Sequence, residues 1–84
     1  MGEMKTVVVE MKQNMDNVVF VINEIKYTFP IPETIKKFLR FGFLNNKIFF
    51  KMFYKDDTDN IQFMIMQYTN KKGNVLFEEK DWRL

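Results

Sequence analysis

The nine residues from Lys47 to Lys55, which read KIFFKMFYK, restrict the fold more than any other part of the sequence. Because successive side chains of a strand point to opposite sides, this stretch has two different faces when it is extended. One face is wholly apolar or aromatic, which predicts a core. The other alternates cations with rings, which fits either a binding surface or a second buried surface. The first face holds Ile48, Phe50, Met52 and Tyr54, and the second holds Lys47, Phe49, Lys51, Phe53 and Lys55.

The chain has 84 residues, which suffice for one domain with a modest core, and we expect residues 1–84 to form that domain. It contains no cysteine. This absence excludes a disulfide scaffold and a thiolate metal site, and it fits a cytoplasmic protein. No run of residues is apolar and long enough for a membrane span, so no membrane partner is expected.

Catalytic side chains are also scarce, because histidine and serine are absent together with cysteine. Most hydrolytic and acyl-transfer mechanisms depend on one of these three. The acidic residues Asp56, Asp57 and Asp59 lie close together, but asparagine and aspartate are typical of turns, and we interpret this cluster as a hairpin turn. We therefore predict a protein that is not an enzyme and that holds no metal or cofactor.

Strands are predicted on both sides of one helix. The predicted strand at residues 18–22 is a continuous apolar run, which suggests a central position in a sheet. Asn23 and Glu24 fit a two-residue hairpin loop in which asparagine takes a positive φ. Ile35, Phe38 and Leu39 recur at helical spacing. The predicted strands are 5–12, 18–22, 25–29, 47–55, 61–68 and 75–77, and the helix is about 32–41, with a stop at Gly42 and Phe43.

The two longest strands are expected to form a hairpin through a polar loop at 56–60, which pairs Lys55 with Ile61. This register places Phe63 and Ile65 on the same face as Phe53. Both faces of the sheet are then rich in apolar side chains, whereas one helix covers only one face. The predicted core consists of Phe20, Tyr27, Phe29, Ile35, Phe38, Leu39, Phe50 and Met52.

The order βββαβββ predicts a small α+β domain with one amphipathic helix. Short turns favour a mostly antiparallel sheet of five or six strands, or a partly open barrel. The succession of three strands, a helix and two strands resembles the OB-fold, and this resemblance implies an OB-like barrel as the alternative architecture.

The second face of the sheet is the predicted working surface, because large apolar patches are rarely left in water. The leading hypothesis is a protein-binding module, an inhibitor or accessory factor of phage or mobile-element type that occupies a partner protein. A homodimer through the same face is a further possibility. The alternative is a small single-stranded nucleic acid-binding protein, since rings among cations can stack bases and hold phosphates. The candidate binding residues are Lys47, Phe49, Lys51, Phe53, Lys55, Phe63 and Ile65 on strands and Lys36, Lys37 and Arg40 on the helix.

Overall fold

A computed structural model describes residues 3–41, 47–57 and 60–80 of the protein. Within these ranges the chain is a small α+β fold with antiparallel strands, as predicted. The described residues contain no helix that is long and apolar enough to cross a membrane. In chain order the elements are β1 (Met4–Glu10), β2 (Asn17–Ile22), β3 (Ile25–Pro30), α1 (Glu33–Phe41), β4 (Ile48–Asp57), β5 (Asn60–Asn70) and β6 (Val75–Lys80).

The described strands divide into two sheets rather than forming one sheet or a barrel. A four-stranded sheet has the order β1-β4-β5-β6, and β2 and β3 form a separate two-stranded sheet. The predicted central position of β2 is wrong. Val18, Phe20 and Ile22 are buried, but Val19 and Val21 are exposed, so β2 has one buried side only. A continuous apolar run therefore does not require that both faces of a strand be covered.

Local backbone signals in the sequence are confirmed. Asn23 and Glu24 both have positive φ, 51° and 68°, as a two-residue hairpin loop of the primed type requires. The helix begins at Glu33, an acidic residue in the first turn, and Arg40 lies in the last turn, so both charges suit the helix dipole. The predicted helix stop at Gly42 and Phe43 lies outside the described residues.

The core lies between the four-stranded sheet and a second layer made of the β2–β3 hairpin and α1. The ring of Phe20 lies 5.6 Å from that of Phe50, and Phe29 meets the edge of Phe63 at 5.5 Å. The predicted core is largely confirmed, with two exceptions. Tyr27 is only partly buried, and Phe38 is 40% exposed. The buried side of the helix is carried by Ile35 and Leu39, which are four residues apart and therefore stacked, so Phe38 lies on its flank.

The predicted register of the β4–β5 hairpin is wrong. The two strands continue to Asp57 and from Asn60, so the loop between them is shorter than the predicted 56–60. This pairing sets Phe63 opposite Tyr54, on the core side. The register then shifts between Phe53 and Tyr54, a β-bulge that places Ile65 opposite Phe53 and so on the predicted face.

Candidate binding face of the four-stranded sheet

One side of the four-stranded sheet packs against the hairpin and the helix, and the other side, here called the open face, has no described element over it. Side chains of directly opposed residues in antiparallel strands lie on the same face, so the register defines which residues share it. Phe49, Phe53 and Ile65 are half-buried, Thr69 is buried, and Val8 is 56% exposed. The open face holds Met4, Thr6, Val8 and Glu10 of β1, Phe49, Lys51, Phe53 and Lys55 of β4, Gln62, Ile65, Gln67 and Thr69 of β5, and Val75, Glu78 and Lys80 of β6.

Apolar side chains lie at the middle of the open face and near one of its ends. Phe53 has Ile65 directly opposite it on β5 and Thr6 opposite it on β1. Phe49, on the same strand, lies between Glu10 and Thr69. Since a strand rises about 3.4 Å per residue, the two rings lie roughly 14 Å apart along β4. The face therefore offers two separate aromatic anchors rather than one ring cluster.

The charge of the open face is not balanced within the described residues. Lys51 and Lys55 are half-buried, are flanked by uncharged neighbours, and form no ion pair with a described carboxylate. The acidic groups of this face contact other residues. Glu10 lies 4.0 Å from the Lys47 ammonium, and Glu78 lies 3.9 Å from the Lys80 ammonium and accepts a hydrogen bond of 2.6 Å from the Gln67 amide. Lys51 and Lys55 therefore supply positive charge to the β4 part of the face that no described carboxylate contacts.

The structure brings together five of the predicted site residues, Phe49, Lys51, Phe53, Lys55 and Ile65. Lys47 lies just before β4, where it is exposed and bound to Glu10 at the end of the face.

Phe63 does not belong to the open face. It is 5% exposed, and its ring packs against those of Phe20, Tyr27 and Phe29 in the core. Its predicted place on the binding face is wrong, because the observed hairpin loop sets it opposite Tyr54.

The predicted helix cations Lys36, Lys37 and Arg40 lie on the other side of the sheet, since α1 packs on the core face. They do not extend the positive charge of the open face. Lys36 lies 3.7 Å from Asp16 and 3.8 Å from Glu33, and Arg40 lies 3.7 Å from Glu33. These two cations border a cleft of about 150 Å³ beside the loop before β2. This volume is below the roughly 300–1,000 Å³ of sites for small organic ligands.

Sequence reasoning did not find the β1 side of the open face. The pairing of β1 with β4 joins Met4 to Lys55 and Val8 to Lys51 across a long sequence separation. Nothing in the local pattern of either strand specifies such a partner. A β-branched run predicts a strand, but it does not predict which other strand lies beside it.

The acidic turn has a structural role in the described residues. The Asp56 carboxylate accepts a hydrogen bond of 3.1 Å from the Asn23 amide and lies 3.7 Å from the Lys5 ammonium. The hydrogen bond joins the β2–β3 hairpin to the four-stranded sheet, and the ion pair joins β1 to β4 within it. Asp59 and the side chain of Asp57 lie outside the described residues. Within the described ranges, no group of three carboxylate, histidine or cysteine side chains is placed to hold a metal ion.

No protein-family model, no curated protein and no solved structure matches the chain. The geometry and chemistry of the open face are therefore the basis for inferring function.

Proposed function

We propose that the protein is a non-enzymatic protein-binding module that works by occupying a partner protein through its open face, in the manner of a small inhibitor or accessory factor. The observation that supports this proposal is the apolar pair Phe53 and Ile65 at the centre of the open face, with Phe49 near one end, and no described second layer over them. Apolar surface that no other part of a soluble protein covers marks an interaction surface. The absence of cysteine favours action in the reducing cytoplasm.

The size of the open face is suited to a protein partner. Four strands spaced about 4.8 Å apart, each roughly 29 Å long on average, give a projected area of about 550 Å². Side-chain relief increases the accessible area beyond this projection. A standard interface uses about 800 Å² on each partner, so the face is of the order that a single specific contact requires.

The distribution of side chains follows the usual anatomy of an interface. Phe53 and Ile65 lie at the centre, where buried anchors contribute most to affinity. Glu10 and Gln62 lie at the ends of the face, where a polar rim is expected. The aliphatic stem of Lys51 can cover apolar partner surface while its ammonium group reaches a partner carboxylate or water.

Affinity capture tests the proposal with a matched pair of variants. The wild-type protein, Phe53→Glu and Val21→Glu are immobilised and exposed to lysate of the organism that encodes the chain, with and without nuclease. Val21 is an exposed apolar residue of β2, outside the open face. We expect one stoichiometric protein to bind the wild type and Val21→Glu after nuclease treatment and to be lost with Phe53→Glu. Equal retention by Phe53→Glu would contradict the proposal.

A second candidate function is the binding of single-stranded nucleic acid. It is favoured by one observation: Phe49, Lys51, Phe53 and Lys55 alternate along one strand of the open face, and the two lysines have no described carboxylate partner. Rings that stack bases and cations that contact phosphates are the components of such sites. Recovery of nucleic acid alone in the capture experiment, with loss after nuclease, would favour this candidate over the protein partner.

A further inference from the structure

Lys51 and Lys55 differ from the other cations that the structure describes. They are half-buried and form no ion pair, whereas each of the other described cations either has a carboxylate partner or is exposed. A side chain that its neighbours already restrict loses less conformational entropy on forming an ion pair than a fully exposed one does. Among the described cations, these two lysines are therefore the best suited to bind a carboxylate of another molecule. The paired cations are Lys5, Lys36, Arg40, Lys47 and Lys80, and the exposed unpaired ones are Lys12, Lys26, Lys37, Lys71 and Lys72.

The two lysines lie on either side of Phe53 along β4, all three on the open face. Since a strand rises about 3.4 Å per residue, Phe53 is roughly 7 Å from each lysine along the strand, and the lysines are roughly 14 Å apart. Ile65, opposite Phe53, and the exposed Val8, opposite Lys51, add apolar surface beside this line. The face thus presents a cation, a ring and a cation at regular spacing.

We propose that the open face binds an extended acidic segment of the partner protein. Two carboxylate residues of the segment, four positions apart, contact Lys51 and Lys55, and an apolar residue midway between them packs on Phe53. This inference rests on the proposed function, because it describes the partner of the same surface. In an extended segment that runs along β4, side chains on one side recur at every second residue, so its first, third and fifth positions match the three side chains.

A helix matches this spacing less closely. Residues on one side of a helix recur after seven and eleven positions, which correspond to about 11 Å and about 17 Å along the axis. Residues that are roughly 14 Å apart on a helix are about nine positions apart and lie on opposite sides of it. The spacing of the lysines therefore favours an extended segment.

The sequence argues that the segment belongs to a different protein and not to a second copy of this chain. No two acidic residues of the sequence are four positions apart, so an extended part of the chain does not supply both carboxylates. The described acidic groups of the open face, Glu10 and Glu78, each already contact a cation.

The number of free cations on the open face favours a peptide over a nucleic acid. Among the described residues of this face, Lys51 and Lys55 are the two cations without a carboxylate partner. A single strand of nucleic acid carries a phosphate at every nucleotide, and proteins that bind it use many cations. Two lysines match a segment with two carboxylates.

Fluorescence anisotropy with labelled synthetic peptides tests the proposal. The first peptide has the core glutamate–threonine–leucine–threonine–glutamate between neutral flanks. The second has lysine in place of both glutamates, and the third has the composition of the first with its two glutamates adjacent. The wild type is compared with Lys51→Glu/Lys55→Glu and with the control Lys71→Glu/Lys72→Glu, which changes the net charge equally at two exposed turn residues. Circular dichroism checks folding.

We expect the wild type and the control variant to bind the first peptide. Lys51→Glu/Lys55→Glu should bind it at least roughly thirtyfold more weakly, about fivefold for each ion pair, and should bind the second peptide instead. The third peptide should bind the wild type about fivefold more weakly than the first, because its adjacent glutamates reach one lysine and not both.

Three results would overturn the proposal: no binding of the first peptide to the wild type at about 1 mM, equal affinity for the first and third peptides, or an equal loss of binding in the control variant. Binding of oligothymidine but of none of the peptides would overturn it in favour of the nucleic acid-binding function. If the peptides fail while Phe53→Glu still abolishes capture of one stoichiometric protein, the acidic segment is wrong and the proposed function stands.

Discussion

The hydroxyl group of Tyr68 is buried in the core and has no hydrogen-bond partner among the described residues. Its ring is well packed, with centroids 5.3 Å from Phe50 and 6.0 Å from Phe77. A buried hydroxyl without a partner loses its hydrogen bonds to water and gains none, which costs about 1 to 3 kcal/mol. We therefore predict that Tyr68→Phe stabilises the protein.

The magnitude follows from the difference between the two side chains. Phenylalanine keeps the ring contacts and removes only the oxygen. The gain in stability is therefore the desolvation cost of the hydroxyl group minus the cost of the small void that its removal leaves. We expect the free energy of unfolding to rise by about 1 to 2 kcal/mol. For a domain of this size each 1 kcal/mol raises the melting temperature by roughly 4 to 8 °C. Urea and thermal denaturation, followed by circular dichroism, measure both quantities.

The pH dependence provides an independent check. Burial raises the pKa of Tyr68 above the ordinary value of 10.0. Below pH 10 the phenol is protonated in both the folded and the unfolded states, and its ionisation does not affect stability. Above pH 10 the unfolded state releases this proton first, so the stability of the wild type falls as the pH rises. Tyr68→Phe lacks this ionisation, and its advantage over the wild type should widen above pH 10.

The matched control is Tyr27→Phe, which removes the same group from a partly buried ring that packs against Phe20 and Phe63. Its hydroxyl is not among the buried groups that lack a partner, so we expect a change within about 0.5 kcal/mol. A loss of stability in Tyr68→Phe, with no widening at alkaline pH, would refute the assignment of an unpaired hydroxyl at this position.

Three further predictions concern the core, the hairpin turn and the open face. Phe50→Ala should destabilise the protein by about 3 to 5 kcal/mol, whereas Phe38→Ala, at an exposed position, should cost less than about 1 kcal/mol. Similar midpoints of urea denaturation for the two variants would contradict the observed packing. Glu24→Gly should stabilise the protein by about 0.5 to 1 kcal/mol, since glycine adopts positive φ without strain; an unchanged melting temperature would count against this. If the open face binds nucleic acid, Phe49→Ala/Phe53→Ala should weaken oligothymidine binding by about 1 to 3 kcal/mol per ring while the fold is retained. Fluorescence anisotropy measures this binding, and its absence for the wild type at about 50 mM salt would exclude the nucleic acid-binding function.

Features that depend on neighbouring residues were predictable from the sequence. The hairpin at Asn23 and Glu24 and the helix around Ile35 and Leu39 follow from local backbone preferences and a single period. The buried side of β4 was also predictable, because alternation along one strand fixes which side chains share a face. These parts of the fold require no knowledge of distant strands.

The errors concern features that depend on distant contacts or on small changes in loop length. Phe63 moved from the predicted binding face to the core because the β4–β5 loop is shorter than expected, and a change of one residue in register reverses the face of a side chain. The β-bulge then restored Ile65 to the open face. The place of β1 beside β4 was not predictable, because its β-branched run is compatible with any neighbouring strand.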